Sequence, residues 1–147
     1  MAAAGQGETI EDSPVGWVGE HIRRYVETDG AEGSTYNGYE ALLLTTRGRK
    51  SGALRRTALY YGRDGDRVVL VASNGGSATH PSWYLNLAAD PAVEVQIGAE
   101  RFTGRARTVD AQERPRLFEL MAKVFPPYAE YQRKADREIP VVVIERA

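Results

Sequence analysis

The 147-residue chain has the composition of an ordinary globular domain, with 42% hydrophobic and 27% charged residues, and a chain of this length can bury a core of its own. Its net charge of −1 argues against nucleic-acid binding, which requires a basic surface. It has no cysteine and only two histidines, which excludes disulfides and thiolate chemistry and makes a metal site unexpected. We expect one domain over residues 13–147, without a metal, after a disordered tail over residues 1–12.

The first predicted elements are a helix and three strands. Ser13 and Pro14 predict the start of a helix, with Ser13 as its cap and Pro14 at the first helical position, and Gly30 predicts its end. Apolar runs then predict strands over residues 41–46, 54–61 and 67–73. Asp64 and Gly65 predict a hairpin turn between the second and third of these strands.

The second half of the chain begins with a short predicted helix. Thr79 or His80 is its expected cap, Pro81 lies in its first turn and Pro91 lies just beyond its end. The elements predicted after it are two strands, two helices and a final buried strand, over about residues 93–97, 100–109, 110–125, 128–131 and 141–144. Pro115 is expected to disturb the start of the longer helix.

Together, about six predicted strands and about four predicted helices indicate a mainly β fold with helices (α+β). Short antiparallel strands over this length favour a closed or partly closed barrel, because closure removes exposed strand edges. The βαβ alternation and the G-x-G-x-x-G fingerprint of dinucleotide-binding folds are absent from the sequence.

A basic turn between the first two strands is the first candidate for a binding site. Between residues 47 and 56 there are five cations and no acid: Arg47, Arg49, Lys50, Arg55 and Arg56. Gly48 and Gly52 let the backbone approach an anion, and arginine binds phosphate through paired hydrogen bonds. The alternative interpretation is a solvated hairpin tip.

Two further polar features follow the third strand. The glycine-rich loop over residues 73–77 comes directly after an apolar strand, which is a common position for ligand-binding backbone, although a plain connecting turn has the same composition. In the next helix Trp83 and Leu87 have the spacing of packing residues, and Ser82 and Asn86 are free for other contacts.

An aromatic group near the C-terminus, formed by Phe125, Tyr128 and Tyr131, has the spacing of one face. That face is either a buried helix stripe, which spacing slightly favours, or the wall of an apolar pocket. The sequence shows no Ser-His-Asp set and no paired carboxylates, so hydrolysis is unsupported. A basic turn without an acid–base set suggests that a bound cofactor performs the reaction.

Five segments of the chain, taken in order, carry a resemblance: LLTTRGRKSG at 43–52, LYY at 59–61, VASNGG at 71–76, PSWYLNL at 81–87 with Pro91 and residues 93–96, and YAEYQRKADREIPVVV at 128–143. Together they resemble the deazaflavin-dependent nitroreductase and quinone reductase family, over about residues 41–145. The resemblance implies a six-stranded antiparallel split β-barrel of the flavin-binding type with flanking helices. It also implies reduced coenzyme F-420 as the hydride donor.

The resemblance further implies roles for single residues. Coenzyme binding is expected from Arg49, Lys50, Ser51, Gly52, Arg55, Thr57, Tyr60, Ala72, Ser73, Asn74 and Asn86. Substrate binding is expected from Trp83, Phe125, Tyr128 and Tyr131, and the catalytic candidates are Tyr131 and Ser73. Many members carry lysine at the position of Asn74, and Phe125 replaces a tyrosine of the member that activates nitroimidazole prodrugs.

The predicted function is hydride transfer from reduced coenzyme F-420 to a planar, electron-poor acceptor, a quinone or a nitroaromatic. Two alternatives stay open, an FMN-dependent split-barrel oxidoreductase that uses the basic turn for flavin phosphate, and a non-catalytic deazaflavin-binding protein. We expect a cytoplasmic location, with any membrane contact peripheral and at the inner face. No nucleic-acid partner is expected.

Overall fold

The computed structural model describes residues 10–13 and 16–147. In this part of the chain the α-helices are α1 (Gly16–Glu27), α2 (Ser82–Ala89), α3 (Arg114–Val124) and α4 (Pro127–Lys134). The strands are β1 (Ile10–Asp12), β2 (Thr35–Tyr36), β3 (Tyr39–Arg47), β4 (Leu54–Tyr60), β5 (Gly62–Asp64), β6 (Arg67–Val71), β7 (Ala92–Ile97), β8 (Glu100–Thr108) and β9 (Val141–Arg146). The mixed α+β prediction is confirmed. The six predicted strands correspond to β3, β4, β6, β7, β8 and β9, and the other three are short additions.

The nine strands form one sheet in the order β1-β4-β3-β7-β8-β9-β6-β5, with β2 paired to β3. Every pairing is antiparallel except that of β1 with β4. Strand β5 ends the order at one side and β4 lies next to last at the other, yet only Tyr61 separates them in the chain. The sheet therefore curves back on itself. Among the described residues no hydrogen-bonded pairing joins β5 to β4, so the expected six-stranded barrel is observed as an open ladder of nine strands.

Both faces of the central strands are buried, which explains their continuous apolar runs. In β9 Val142 and Ile144 belong to a cluster that also includes Leu42 and Leu44 of β3. The alternate residues of β9 belong to a second cluster, which contains α3 residues such as Leu117. Because successive side chains of a strand point to opposite faces, one face lines the interior and the other needs a covering helix.

Helix α1 is fixed to the sheet through Tyr25, which is fully buried. The Tyr25 hydroxyl donates to the carbonyl oxygen of Ala41 (3.0 Å) and accepts from the backbone N–H of Gly98 (2.7 Å). Burial raises the pKa of Tyr25, so the hydroxyl stays protonated as this donor. Helix α1 thus packs as a cover on the sheet, in contact with β4.

The N-terminal prediction needs a correction. Residues 10–12, expected to belong to a disordered tail, form β1 and pair in parallel with β4, with Glu11 opposite Arg55 and Asp12 opposite Arg56. Opposite charges across this pair favour the register. Residues 1–9 and Pro14, the expected first helical residue, lie outside the described residues.

Two predictions about helix starts also change. Pro81, and not Thr79 or His80, is the N-cap residue of α2, because its carbonyl oxygen accepts from the backbone N–H groups of Tyr84 (3.1 Å) and Leu85 (3.3 Å). Pro115 does not disturb α3, which begins at Arg114 and places this proline in its first turn. A backbone N–H in the first turn has no acceptor within the helix, so the helix loses no hydrogen bond when proline occupies that position.

Gly30 is expected to be intolerant of any side chain. Its φ is +84°, and an added Cβ would lie 2.3 Å from Cα of Gly98. Gly30→Ala combines left-handed strain with a backbone clash, and we expect it to lower the free energy of unfolding by roughly 3–5 kcal/mol. Urea unfolding measures this loss.

Gly65→Ala is the matched control, because Gly65 has a φ of +62° and no atom within 4 Å of the added Cβ. Gly65→Ala should lower the free energy of unfolding by only about 1–2 kcal/mol, because it adds left-handed strain without a clash. Equal losses in the two variants would contradict the packing of the Gly30 segment against Gly98.

Candidate functional site

A cavity of about 680 Å³ lies between the turn after β3, the start of β4, strand β1 and the segment that leads into α2. Its volume is within the range of small-molecule sites. Of the predicted site residues, those that line it are Arg49, Lys50, Ser51, Arg55, Thr57, Asn74, Trp83 and Asn86. Those that do not line it are Gly52, Tyr60, Ala72, Ser73, Phe125, Tyr128 and Tyr131.

The basic turn is held by its own backbone. The N–H of Gly48 donates to the carbonyl oxygen of Ala53 (2.7 Å), and the N–H of Gly52 donates to that of Gly48 (2.8 Å). The Ser51 hydroxyl accepts from the N–H of Ala53 (3.1 Å). These bonds close the turn and leave Arg49 and Lys50 exposed at its tip.

Asn86 of α2 is buried beneath this turn, with 4% of its surface exposed. Its Oδ1 accepts from the backbone N–H (3.2 Å) and from Nη1 (2.9 Å) of Arg49, and its Nδ2 donates to the hydroxyl of Thr46 (3.3 Å). The amide contacts therefore join α2 to the turn and orient the guanidinium of Arg49. The expected coenzyme-binding role of Asn86 is accompanied by a positioning role that its sequence position did not reveal.

Strand β1 changes the charge balance that the sequence suggested. Arg55 pairs with Glu11 (3.1 Å) and Arg56 pairs with Asp12 (2.6 Å), and both acids line the cavity. The basic turn is thus not free of acids in space, although it is in sequence. Among the described residues, Arg49 and Lys50 are the cavity cations that make no ion pair.

The polar loop after β6 contains a 3-10 turn over Asn74–Gly76 in which all three residues have positive φ, from 47° to 81°. Glycine adopts this backbone without steric cost, and asparagine tolerates it better than most residues. The Asn74 Nδ2 donates to the Thr79 carbonyl oxygen (3.1 Å). Ser73 and Ala72, both expected to bind the coenzyme, are buried at the base of this loop.

Arg137, which follows α4, organises the same loop and was not predicted to have a role. Its guanidinium donates to the carbonyl oxygens of Ser73 (3.0 Å), Ser77 (3.1 Å) and Thr79 (3.1 Å). It also donates to Nδ1 of His80 (3.0 Å). Arg137 lies within the 128–143 segment of the resemblance, and that position was its one signal in the sequence.

The aromatic group of the C-terminal region extends to β3 and β4. The ring centroid of Phe125 lies 4.9 Å from the ring centroids of Tyr39, Tyr60 and Tyr128. It lies 6.4 Å from that of Tyr131. Tyr128 is 6% exposed, and burial raises its pKa. Tyr128 is therefore a core residue at one end of this face.

The aromatic face and the cavity lie on two sides of the 74–76 turn. Asn74 lines the cavity, whereas a Cβ on Gly76 would lie 3.0 Å from the carbonyl oxygen of Tyr131. Tyr60, expected beside the coenzyme, belongs to the aromatic face, and Trp83, expected in the substrate pocket, lines the cavity. The two groups of predicted residues are neighbours without forming one pocket.

In the part of the chain that the structure describes, no three histidine or acidic side chains come together as a candidate metal site. None of its helices has both the length and the apolar composition needed to cross a bilayer.

Residues 17–146 match the family model described as F420H(2)-dependent quinone reductase. The chain belongs to this family. Membership confirms the predicted relationship, the oxidoreductase class and reduced coenzyme F-420 as the cofactor of the family. The basic cavity fits such a group, since an anionic phosphate is bound by cations and backbone N–H donors of the kind found at Arg49 and Lys50.

Three relatives show the extent of the similarity. The F420H(2)-dependent quinone reductase Rv1261c of Mycobacterium tuberculosis (strain ATCC 25618 / H37Rv) is 39% identical over 130 residues, which are 86% of this chain and 87% of that protein. A solved structure of an F420-H2 dependent reductase (FDR-A) is 42% identical, with a TM-score of 0.67, over 71% of this chain and 93% of that one. A solved structure described as a domain-swapped dimer is 40% identical, with a TM-score of 0.70, over 90% of this chain and 100% of that one.

Glu11 is expected to weaken the binding of an anion in the cavity, because it neutralises Arg55. Glu11→Gln removes that charge, and since an exposed ion pair is worth up to about 1 kcal/mol, affinity for oxidised coenzyme F-420 should rise by about two- to fivefold at low salt. Fluorescence titration measures the dissociation constant.

Glu119→Gln is the control with the same change in net charge, since Glu119 pairs with Lys123 on α3 and does not line the cavity. Its effect should be small. Weaker or unchanged binding by Glu11→Gln would show that Arg55 is not available to the coenzyme.

Proposed function

We propose that this chain transfers a hydride from reduced coenzyme F-420 to a quinone, with the coenzyme bound in the basic cavity. The observation that carries the proposal is a pair of cavity cations, Arg49 and Lys50, that make no ion pair with any described residue, in a chain of the F420H(2)-dependent quinone reductase family. When bound, the reduced coenzyme supplies the hydride. The quinone itself is the acceptor named for relatives such as the M. tuberculosis protein.

The residues of the basic turn would hold the negatively charged parts of the coenzyme. Arg49 offers a planar fork whose orientation is set by Asn86, Lys50 offers an ammonium group, and Ser51 offers its exposed backbone and hydroxyl. Gly52, beside them, does not line the cavity, so we assign it to turn geometry. Arg55 and Thr57 would contact the coenzyme from the start of β4, where both line the cavity.

Asn74 would contact the coenzyme from the opposite wall, at the exposed tip of the loop after β6. Ala72 and Ser73 would contribute from the base of that loop, whose carbonyl groups are already bonded to Arg137. Ser73 stays a catalytic candidate, from a buried position at the base of this loop.

The acceptor would lie against the aromatic face formed by Tyr60, Phe125 and Tyr131, with Trp83 on the cavity side. An aromatic wall packs well on a planar ring, and a tyrosine hydroxyl can donate to a quinone carbonyl. Tyr131 is the better donor than Tyr128, because it is partly exposed whereas Tyr128 is buried. A donor aimed at the acceptor oxygen stabilises the negative charge that develops there during reduction.

The finer fold assignment is a six-stranded antiparallel split β-barrel of the flavin-binding type. It is supported by the order of the six longest strands and by the single stretch of residues 54–64 that contributes to both sides of the sheet. A nitroaromatic acceptor and a cytoplasmic location with peripheral membrane contact stay predictions.

Steady-state assays separate this proposal from its alternatives. Oxidation of reduced coenzyme F-420 with menadione by the purified protein is expected, and binding without turnover would favour the non-catalytic coenzyme-binding protein. A flavin spectrum in the purified protein, with turnover that depends on FMN, would favour the FMN-dependent oxidoreductase. Reduction of menadione by NADPH alone would contradict both deazaflavin assignments.

Replacement of Arg49 and Lys50 by Ala removes two charge-assisted contacts of roughly 1.5–3 kcal/mol each. The dissociation constant of oxidised coenzyme F-420 should rise at least about tenfold, with a steeper loss at low salt, where charge interactions are less screened. The same double change at Arg23 and Arg24, which are exposed on α1, should leave affinity within about twofold. Unchanged affinity in the Arg49 and Lys50 variant would place the coenzyme elsewhere.

Tyr131→Phe keeps the aromatic wall and deletes the hydroxyl. If that hydroxyl donates to the acceptor, turnover with menadione should fall roughly 10- to 100-fold while coenzyme affinity stays the same. Tyr84→Phe is the control, because the Tyr84 hydroxyl is bonded to Thr108, outside the aromatic face. Full turnover by Tyr131→Phe would remove the hydroxyl from the mechanism, and lost coenzyme affinity would place Tyr131 in the coenzyme site.

A further inference from the structure

His80 lines the cavity, and its ring nitrogen Nδ1 lies 3.0 Å from Nη1 of Arg137. A guanidinium group has only donors, so Nδ1 of His80 must accept and carries no proton. A neutral imidazole then has its proton on Nε2. His80 therefore keeps one N–H donor, on the ring nitrogen that Arg137 does not contact.

Arg137 cannot readily release this ring, because the rest of its guanidinium is bonded to backbone. It donates to the carbonyl oxygens of Ala72 (3.4 Å), Ser73 (3.0 Å), Ser77 (3.1 Å) and Thr79 (3.1 Å). Rotation of the guanidinium would break several of these hydrogen bonds at once. The contact to His80 is thus fixed by the same bonds that shape the loop.

The charges around His80 favour its neutral form. Among the described residues Arg137 makes no ion pair, so its full positive charge lies beside the ring. The other charged or titratable groups that surround the ring or line the same cavity are Glu11 and Asp12 of β1, Arg49 and Lys50 of the basic turn, Arg55 and Arg56 of β4, and Tyr84 of α2. The two acids are paired with Arg55 and Arg56. Burial, and next the charge of Arg137, lower the pKa of His80.

We propose that Arg137 is a positioning residue that keeps His80 neutral with its proton on Nε2, and that this N–H donates a hydrogen bond to an oxygen of the coenzyme in the cavity. The inference rests on the proposed function, because it uses the coenzyme site given there. His80 then recognises the coenzyme by a directed hydrogen bond without adding charge. Coenzyme binding consequently takes up no proton at this ring.

Long-range ¹H–¹⁵N spectra of the full chain test the first half of the proposal without coenzyme. The chain has two histidines, so His80→Gln assigns both rings. The expected result is a bare Nδ1 and a protonated Nε2 on His80, with titration below the ordinary pKa of about 6.5. A proton on Nδ1, or a charged ring at neutral pH, would overturn the proposal.

Arg137→Gln and Arg137→Lys then separate charge from structure. Arg137→Gln removes the positive charge, so the pKa of His80 should rise toward its ordinary value. Arg137→Lys keeps a positive charge, so the pKa of His80 should stay lower than in Arg137→Gln. The His21 ring, which is bonded to the Gly33 carbonyl oxygen at 2.8 Å, reports in the same spectra whether the fold is intact. An unchanged His80 titration in a folded Arg137→Gln protein would show that Arg137 does not control the ring.

Fluorescence titration with oxidised coenzyme F-420 tests the second half. His80→Phe removes the donor and should weaken binding by about three- to tenfold, the range of one neutral hydrogen bond. His80→Gln, whose amide can donate, should recover most of the loss. In wild type the affinity should not change with pH above the lowered pKa of His80, whereas Arg137→Gln, which raises that pKa, should introduce a dependence near pH 6.

The two proposals fail in different ways. If wild type does not oxidise reduced coenzyme F-420 with any quinone, the proposed function is wrong whatever the spectra show. If wild type is active but His80→Phe binds the coenzyme as tightly as wild type, the hydrogen bond from His80 does not exist and the proposed function stands.

Discussion

The architecture depends on the continuity of the chain at Tyr61. Residues 54–60 pair with β3 and residues 62–64 pair with β6, so two sides of the sheet are joined through one residue, and β4 ends only about 6.6 Å from the start of β5. The sheet must curve so that this short connection can join β4 to β5. The turn after β3 and the loop after β6 then reach the same rim, and both line the cavity.

Charge is arranged locally in this protein, since the whole chain has a net charge of −1. The parallel pairing of β1 with β4 brings Glu11 and Asp12 against two arginines of the basic stretch. Among the described cavity residues, the cations left without an ion pair are Arg49 and Lys50 at the tip of the turn. Because salt screens exposed charges beyond about 8–10 Å, such a site acts through contact hydrogen bonds and contributes little long-range attraction.

Strand and helix positions could be predicted because they follow from hydrophobic period and from proline and glycine placement. Strand β1 could not, since three residues of mixed polarity carry no periodic signal and their partner lies far along the chain. The role of Arg137 also left no pattern, because its partners are mostly backbone carbonyls that every residue possesses. The resemblance placed Trp83 with Tyr131 in one substrate pocket, but Trp83 lines the cavity and Tyr131 does not.

Two polar side chains, Asn86 and Arg137, determine the shape of the cavity walls through bonds to other protein groups. Asn86 orders the basic turn through Arg49, and Arg137 orders the loop over residues 72–80. Ordering a residue costs about 1–2 kcal/mol of backbone entropy. In this protein these segments are ordered when the chain folds, before the coenzyme binds. Binding energy is then not spent on loop ordering, so these two residues influence coenzyme affinity through the protein groups that they hold in place.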